Sequence, residues 1–145
     1  MTAELLDGAS VAGRIKAEVA AEVTRLAERG LRPGLAAVLV GNDPASEIYV
    51  SSKVKTCEQL GLYSEMIKLP EDLTTIELLA QVLDLNRRAE IDGILIQMPL
   101  PDHIDANRVL NAVDPAKDVD GLHPVSAGRR ALTEPGLRPC TPSGW

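Results

Sequence analysis

The sequence predicts an α/β fold, a three-layer α/β/α arrangement around a mainly parallel sheet. Three observations carry that expectation. Segments with apolar residues three and four positions apart alternate along the chain with short apolar runs that show no polar alternation. The runs are closed by glycine, proline or aspartate, and the stretches between them are long enough for helical crossovers. The 145 residues, 45% hydrophobic and 25% charged, suit one domain able to fold without disulfide or metal staples.

Ser10 is the expected N-cap of a first helix whose apolar face runs through Val11, Ile15, Val19, Val23 and Leu26, with Gly30 placed to end it. Residues 35–40, Leu-Ala-Ala-Val-Leu-Val, read as a strand buried on both faces. Gly41-Asn42-Asp43-Pro44 breaks that run, Ser46 is the expected cap of a second helix reaching about Leu60, and Gly61 stops it. A short strand follows over Tyr63 to Leu69. Thr74 and Glu77 have the form of a capping box, and the helix they open carries Ile76, Leu79, Val82, Leu83 and Leu85 before Arg87 and Arg88 favour its C-terminal end. Gly93 to Met98 is the next buried strand, and Asp105 opens a short helix through Val109 and Leu110 to Val113. Strands joined in this way imply right-handed crossovers, with helices on both faces of the sheet. Ligands of such sheets sit beyond the carboxyl ends of the strands, here near Gly41 to Asp43, Leu69 to Glu71 and Gln97 to Leu100.

Composition narrows the partners. A formal net charge of -6 with no local Lys/Arg block opposes nucleic-acid binding, and without Phe and with one Trp and two Tyr there are few aromatic platforms for bases. No apolar run approaches the roughly 20 residues of a membrane span, and no signal-peptide core opens the chain, so no membrane partner and a cytoplasmic location are expected. Cys57 and Cys140 read as reduced thiols. His103 and His123 stand at no metal-ligand spacing, so no metal is expected. Neither Gly-x-Gly-x-x-Gly nor a Walker A loop occurs, and Gly-x-Ser-x-Gly is absent. Cys140, between Pro139 and Pro142, has no evident base beside it and makes a poor catalytic thiolate.

Tyr49, Lys53 and Cys57 are spaced i, i+4, i+8 and share one face of the second helix. Spacing leaves two readings: Tyr49 packs, Lys53 snorkels and Cys57 fills core, the commoner case, or the face carries chemistry. Lys55, on another face, is expected to be solvated. Gln97 places an amide at the end of an apolar strand, where it serves either loop backbone or a ligand. Asp118 and Asp120, flanking Val119 ahead of Gly121, are turn formers or functional carboxylates on equal grounds. The run Arg138-Pro139-Cys140-Thr141-Pro142-Ser143-Gly144 has the turn chemistry of a connection between two units.

Four blocks taken together carry a resemblance: Tyr49 to Cys57 with Gly61, Asp92 to Pro101 (Asp-Gly-Ile-Leu-Ile-Gln-Met-Pro-Leu-Pro), Lys117 to Pro124 (Lys-Asp-Val-Asp-Gly-Leu-His-Pro), and Pro139 to Pro142. In this order they resemble the bifunctional methylenetetrahydrofolate dehydrogenase/methenyltetrahydrofolate cyclohydrolase family, over essentially the whole chain but only over that family's N-terminal catalytic domain. The resemblance implies interconversion of 5,10-methylene-, 5,10-methenyl- and 10-formyl-tetrahydrofolate, with NADP or NAD for the first step and water for the second. It implies that Tyr49 lies against the folate rings, Lys53 is the acid/base, Gln97 positions that lysine and Asp120 hydrogen-bonds the pterin. Met98, Pro99 and Leu100 would complete the substrate-binding surface. It further implies a folate-binding catalytic domain over 1–138, an inter-domain connection starting over 139–145, and a Rossmann-type NAD(P) domain, absent here, through which the family mainly homodimerises. A folate-binding module without turnover is the alternative. Ser126 stands where the family commonly has asparagine, Met98 where it has leucine, and Trp145 where it has a small aliphatic residue.

Overall fold

The computed structural model describes residues 7–139. Helix α1 spans Gly8–Glu28, strand β1 Gly34–Val40, helix α2 Pro44–Gln59, strand β2 Tyr63–Leu69 and helix α3 Thr75–Arg87. Strand β3 spans Gly93–Ile96, helix α4 Ala106–Ala112 and helix α5 Pro124–Ala131. The three strands pair in the order β2-β1-β3, all parallel, with Gly34 opposite Tyr63 and Leu35 opposite Gly93. This is the expected parallel sheet, with helices packed on both of its faces.

Side chains alternate across the pleat. Ala36, Val38 and Val40 of β1 and Ile94 and Ile96 of β3 pack against Leu78, Val82 and Leu85 of α3 and Val109 of α4. On the opposite face Ala37 and Leu95 pack against Val50 and Val54 of α2, with Leu35 and Val119 alongside. The second cluster is the smaller, and it leaves the amino-terminal part of that face open. Leu78, not among the apolar residues the sequence singled out, is fully buried, whereas Ile76 and Leu83 are exposed. The stripe Val11, Ile15 and Val19 of α1 is also exposed, and only Val23 at its far end is buried.

Helix boundaries follow capping chemistry, with two corrections. Asp7, not Ser10, caps α1, its Oδ1 accepting from the Ala9 and Ser10 N–H groups. Asp43, not Ser46, caps α2: Asp43 Oδ2 accepts from the Ser46 N–H at 2.8 Å, and Pro44 takes the first helical position. In both cases an aspartate earlier in the chain reaches the free N–H groups first. The Thr74–Glu77 capping box forms as expected, Glu77 Oε2 accepting from the Thr74 N–H at 2.7 Å and its hydroxyl at 2.8 Å. Gly30 (φ 73°) and Gly61 (φ 89°) end α1 and α2 in the left-handed conformation that glycine adopts without a Cβ penalty.

Two further differences bear on the site. Strand β3 stops at Ile96, short of the expected Met98, although the Gln97 N–H still donates to the Val38 carbonyl at 2.9 Å. Helix α5 was not expected at all. Its eight residues follow His123, whose Nδ1 accepts from the Val125 N–H, and Pro124 at the first position. A histidine cap and so short an apolar pattern give no periodic signal. The connection read over 139–145 falls on Pro139 and then outside the described residues, as does Cys140.

Candidate functional site

A crossover helix runs back along a parallel sheet, so successive turns of α2 carry its side chains from the carboxyl toward the amino ends of the strands. Val50 and Val54 seat α2 on the sheet, and the neighbouring face presents Tyr49, Lys53 and Cys57. Lys53 Nζ lies 4.4 Å from the centroid of the Tyr49 ring, a cation–π contact that holds the ammonium over an aromatic face. Tyr49 remains 59% exposed. Lys55 is exposed, as expected. Cys57 is half-buried, and burial pushes its thiol pKa up, which leaves it a poor nucleophile.

The segment before α5 supplies the opposing wall. The Ile94 N–H donates to the Lys117 carbonyl at 2.8 Å, and Asp118 bridges to Ile94, so residues 117–120 run beside the start of β3. Gly93 permits this approach: a Cβ there would stand 2.5 Å from Val119 Cγ1. Lys117 Nζ donates to the Arg88 carbonyl at 2.8 Å and the Leu85 carbonyl at 3.3 Å, tying the segment to the end of α3. Asp118 is buried, and its carboxylate accepts from the Leu122 N–H, the His123 N–H and the Ser126 hydroxyl. Asp120 instead faces a cavity. Burial raises the pKa of its carboxyl; the Lys53 charge opposes that rise and the Asp118 charge adds to it.

That cavity, of about 400 Å³, is lined by the apolar Leu35, Leu62, Leu95 and Val119 and by the charged Lys53, Asp92 and Asp120. A second hollow of about 330 Å³ adjoins it through the shared Lys53 and Leu35, and is lined further by Tyr49, Ser52, Thr56 and Cys57. An apolar floor with a few convergent charged groups is the make-up of a site for a flat, partly polar small molecule. Tyr49, Lys53 and Asp120 are thus brought together. Asp92 was not foreseen; it borders the cavity while its carboxylate accepts from the Gly34 N–H at 2.9 Å, tying the starts of β1 and β3 together.

The location differs from the expectation for such sheets. Lys53 and Asp120 face the amino ends of β1 and β3, because the active turns of α2 are its later ones. A separate concavity of about 380 Å³ does lie at the carboxyl ends, lined by Gly41, Asn42, Asp43, Glu71, Pro99, Leu100 and Pro101. Pro99 and Leu100 therefore border a different hollow from Lys53. The Gln97 amide donates to the Met98 carbonyl at 2.7 Å, Met98 is 37% exposed, and neither lines the two hollows that Lys53 shares.

The described residues do not fit a dinucleotide. The helix start that could take a pyrophosphate, that of α2, is occupied by the Asp43 carboxylate, whose pKa its bonds with Ser46 lower. Among the described residues no group of three or more His, Cys, Asp and Glu is placed to hold a metal ion, and no helix is long and apolar enough to cross a membrane. His103 Nε2 meets the Leu73 carbonyl and His123 Nε2 the Asn111 carbonyl.

A family model described as tetrahydrofolate dehydrogenase/cyclohydrolase, catalytic domain, matches residues 6–120. The bifunctional protein FolD of Koribacter versatilis is 55% identical over 144 residues, which are 99% of this chain and 47% of that protein. The crystal structure of the bifunctional enzyme FolD from Campylobacter jejuni superposes with a TM-score of 0.94 at 43% identity, over 97% of this chain and 50% of that one. The Trypanosoma brucei methylenetetrahydrofolate dehydrogenase-cyclohydrolase, complexed with NADP cofactor and inhibitor, gives 0.93 at 35% identity, over 99% and 50%. The chain spans about half the length of the curated relatives it matches.

Proposed function

Because the chain belongs to the tetrahydrofolate dehydrogenase/cyclohydrolase family, we propose that it forms the folate side of an enzyme that interconverts 5,10-methylene-, 5,10-methenyl- and 10-formyl-tetrahydrofolate. The observation that carries this reading is the placement of Lys53 and Asp120 on one apolar-floored cavity, with the Tyr49 ring beside the ammonium. Asp120 accepts paired hydrogen bonds from a pterin ring N–H and its amino group, while Tyr49 covers the flat face. In the hydrolytic step water adds to the amidinium carbon of the methenyl group. Lys53 takes the proton from that water and returns one to the nitrogen whose bond to carbon breaks, leaving the formyl group on the other nitrogen and releasing one proton overall. Gln97 orients Lys53 by accepting from its ammonium through Oε1, the Nε2 group being the one that donates to the Met98 carbonyl. Met98, together with Pro99 and Leu100 on the separate hollow at the carboxyl ends of the strands, extends the binding surface beyond the Lys53 cavity.

NADP supplies hydride acceptance when bound. Because the described residues do not fit it, we assign its site, and the homodimer contact implied by the family, to the part of the relatives' length that this chain does not span. A cytoplasmic location belongs to the same reading.

Replacing Lys53 by alanine tests the assignment. Hydrolysis of 5,10-methenyltetrahydrofolate, followed by loss of its absorbance, falls by about 10²- to 10⁴-fold, while calorimetric titration still detects the bound folate; an unchanged rate sinks the proposal. The exposure of Tyr49 supports a second reading, a folate-binding module that admits too much water for turnover. Binding without turnover in the wild-type chain selects it.

A further inference from the structure

A buried carboxylate is expensive unless several donors meet it, and one that lines no cavity needs a reason to be charged. Asp118 is 5% exposed and receives three donors: the Leu122 N–H at 3.2 Å, the His123 N–H at 3.0 Å and the Ser126 hydroxyl at 2.7 Å. Two of the donors belong to the start of α5, His123 being its cap and Ser126 a buried residue in its first turn. The other end of the same short segment is tied to β3 through the Lys117 carbonyl and the Asp118–Ile94 bridge. Between those two ties stand Val119 and Asp120, the residues that line the cavity opposite Lys53.

We infer that Asp118 is a positioning residue of the folate site: its carboxylate locks the β3-to-α5 segment so that Asp120 is held inside the cavity facing Lys53. What Asp120 contacts there rests on the folate reading; the geometry of the lock does not. The same arrangement sets the electrostatics of Asp120. The charged groups that act on it are Lys53 from α2 and Asp118 on its own segment; Asp92 ahead of β3 lines the same cavity, but its carboxylate accepts from the Gly34 N–H at 2.9 Å. Asp118 therefore has two opposed effects on one neighbour: it fixes where the carboxyl stands, and its like charge works against the ionised form that accepts from the pterin. A neutral amide loses the second effect and also one acceptor of the lock, since its NH2 must face either the Leu122 N–H or the His123 N–H and Ser126 hydroxyl.

Asp118→Asn and Ser126→Ala in the 145-residue chain separate this from a purely structural role. The Asp120 carboxyl is followed by ¹³C NMR titration of the ligand-free protein, and binding of 5-formyltetrahydrofolate by calorimetry. In Asp118→Asn the Asp120 carboxyl titrates at lower pH than in the wild type and the Kd rises about tenfold, the size of one well-made buried hydrogen bond. In Ser126→Ala both readouts move in the same direction by less, roughly threefold in Kd, as expected for a weaker loss within the hydrogen-bond range. A cooperatively folded Asp118→Asn with the wild-type Asp120 titration and Kd overturns the inference. If that variant lacks a cooperative thermal transition, Ser126→Ala decides, and unchanged values there overturn it. Failure of the wild type to bind the probe defeats the folate reading instead, and the ligand-free titration still decides the inference.

Discussion

Asp120 illustrates a residue whose placement for binding works against the fold that places it. Burial raises its carboxyl pKa from the ordinary 3.8, so the folded chain holds that proton more tightly than the unfolded one. The associated stability is complete below 3.8 and is lost as pH rises through the folded value. Asp120→Asn should therefore melt slightly higher than the wild type at pH 7, with the difference shrinking toward pH 4, while folate binding is lost; a lower melting temperature at pH 7 contradicts this. Turn chemistry offered Asp118 and Asp120 as an undivided pair, and only the family resemblance singled out Asp120. The fold sends the two to different environments because Val119 and Asp120 form a turn after the single bridge residue Asp118, so Asp118 meets the start of α5 and Asp120 the cavity. Tyr49 and Lys53 were easier to read, since i, i+4 spacing on a helix is itself a statement of proximity. Gln97 shows the limit of that logic: a strand end fixes where the backbone goes but not which partner the amide takes, and here it takes the Met98 carbonyl.

At the scale of elements, caps decided most boundaries. The Thr74–Glu77 box was legible because both partners are local and their spacing is fixed by helix geometry. Thr74→Ala is expected to cost about 1 kcal/mol, read as a shift in the denaturation midpoint at constant slope. The Glu77 carboxyl pKa is lowered from 4.5 by the Thr74 N–H and then its hydroxyl; alanine keeps the N–H, so of this lowering the variant loses only the hydroxyl's share, which is present above 4.5 and is lost as pH falls through the folded value. The penalty of the substitution should accordingly shrink in acid. Ser10 and Ser46 were plausible caps by type, yet Asp7 and Asp43 hold the positions because the helices begin earlier than their apolar residues do. Helix α5 escaped notice for a related reason. Its start is built by His123 and by the distant Asp118, and neither an apolar stripe nor a usual capping residue marks it.

For the whole molecule, the asymmetry between the two sheet faces is the organising fact. The face under α3 and α4 carries the larger apolar cluster and bears most of the packing, centred on residues such as Leu78, which is fully buried. Leu78→Ala should lose about 2–5 kcal/mol by denaturant unfolding, and a loss under half of that would show the face to be loosely packed. The opposite face, under α2, is incompletely filled, and the unfilled part is the cavity between Lys53 and Asp120. The sequence by itself determined the alternation of strands and helices, the parallel sense of the strands and the helix face bearing Tyr49 and Lys53, because each follows from local periodicity, local caps and crossover length. Only the tertiary structure decided that this face opens at the amino ends of β1 and β3, that Asp120 and not Asp118 enters the cavity, and that Pro99 and Leu100 border another hollow. Those outcomes depend on how far back along the sheet α2 runs and on contacts between residues remote in the chain, such as Val119 over Gly93, which no local pattern encodes.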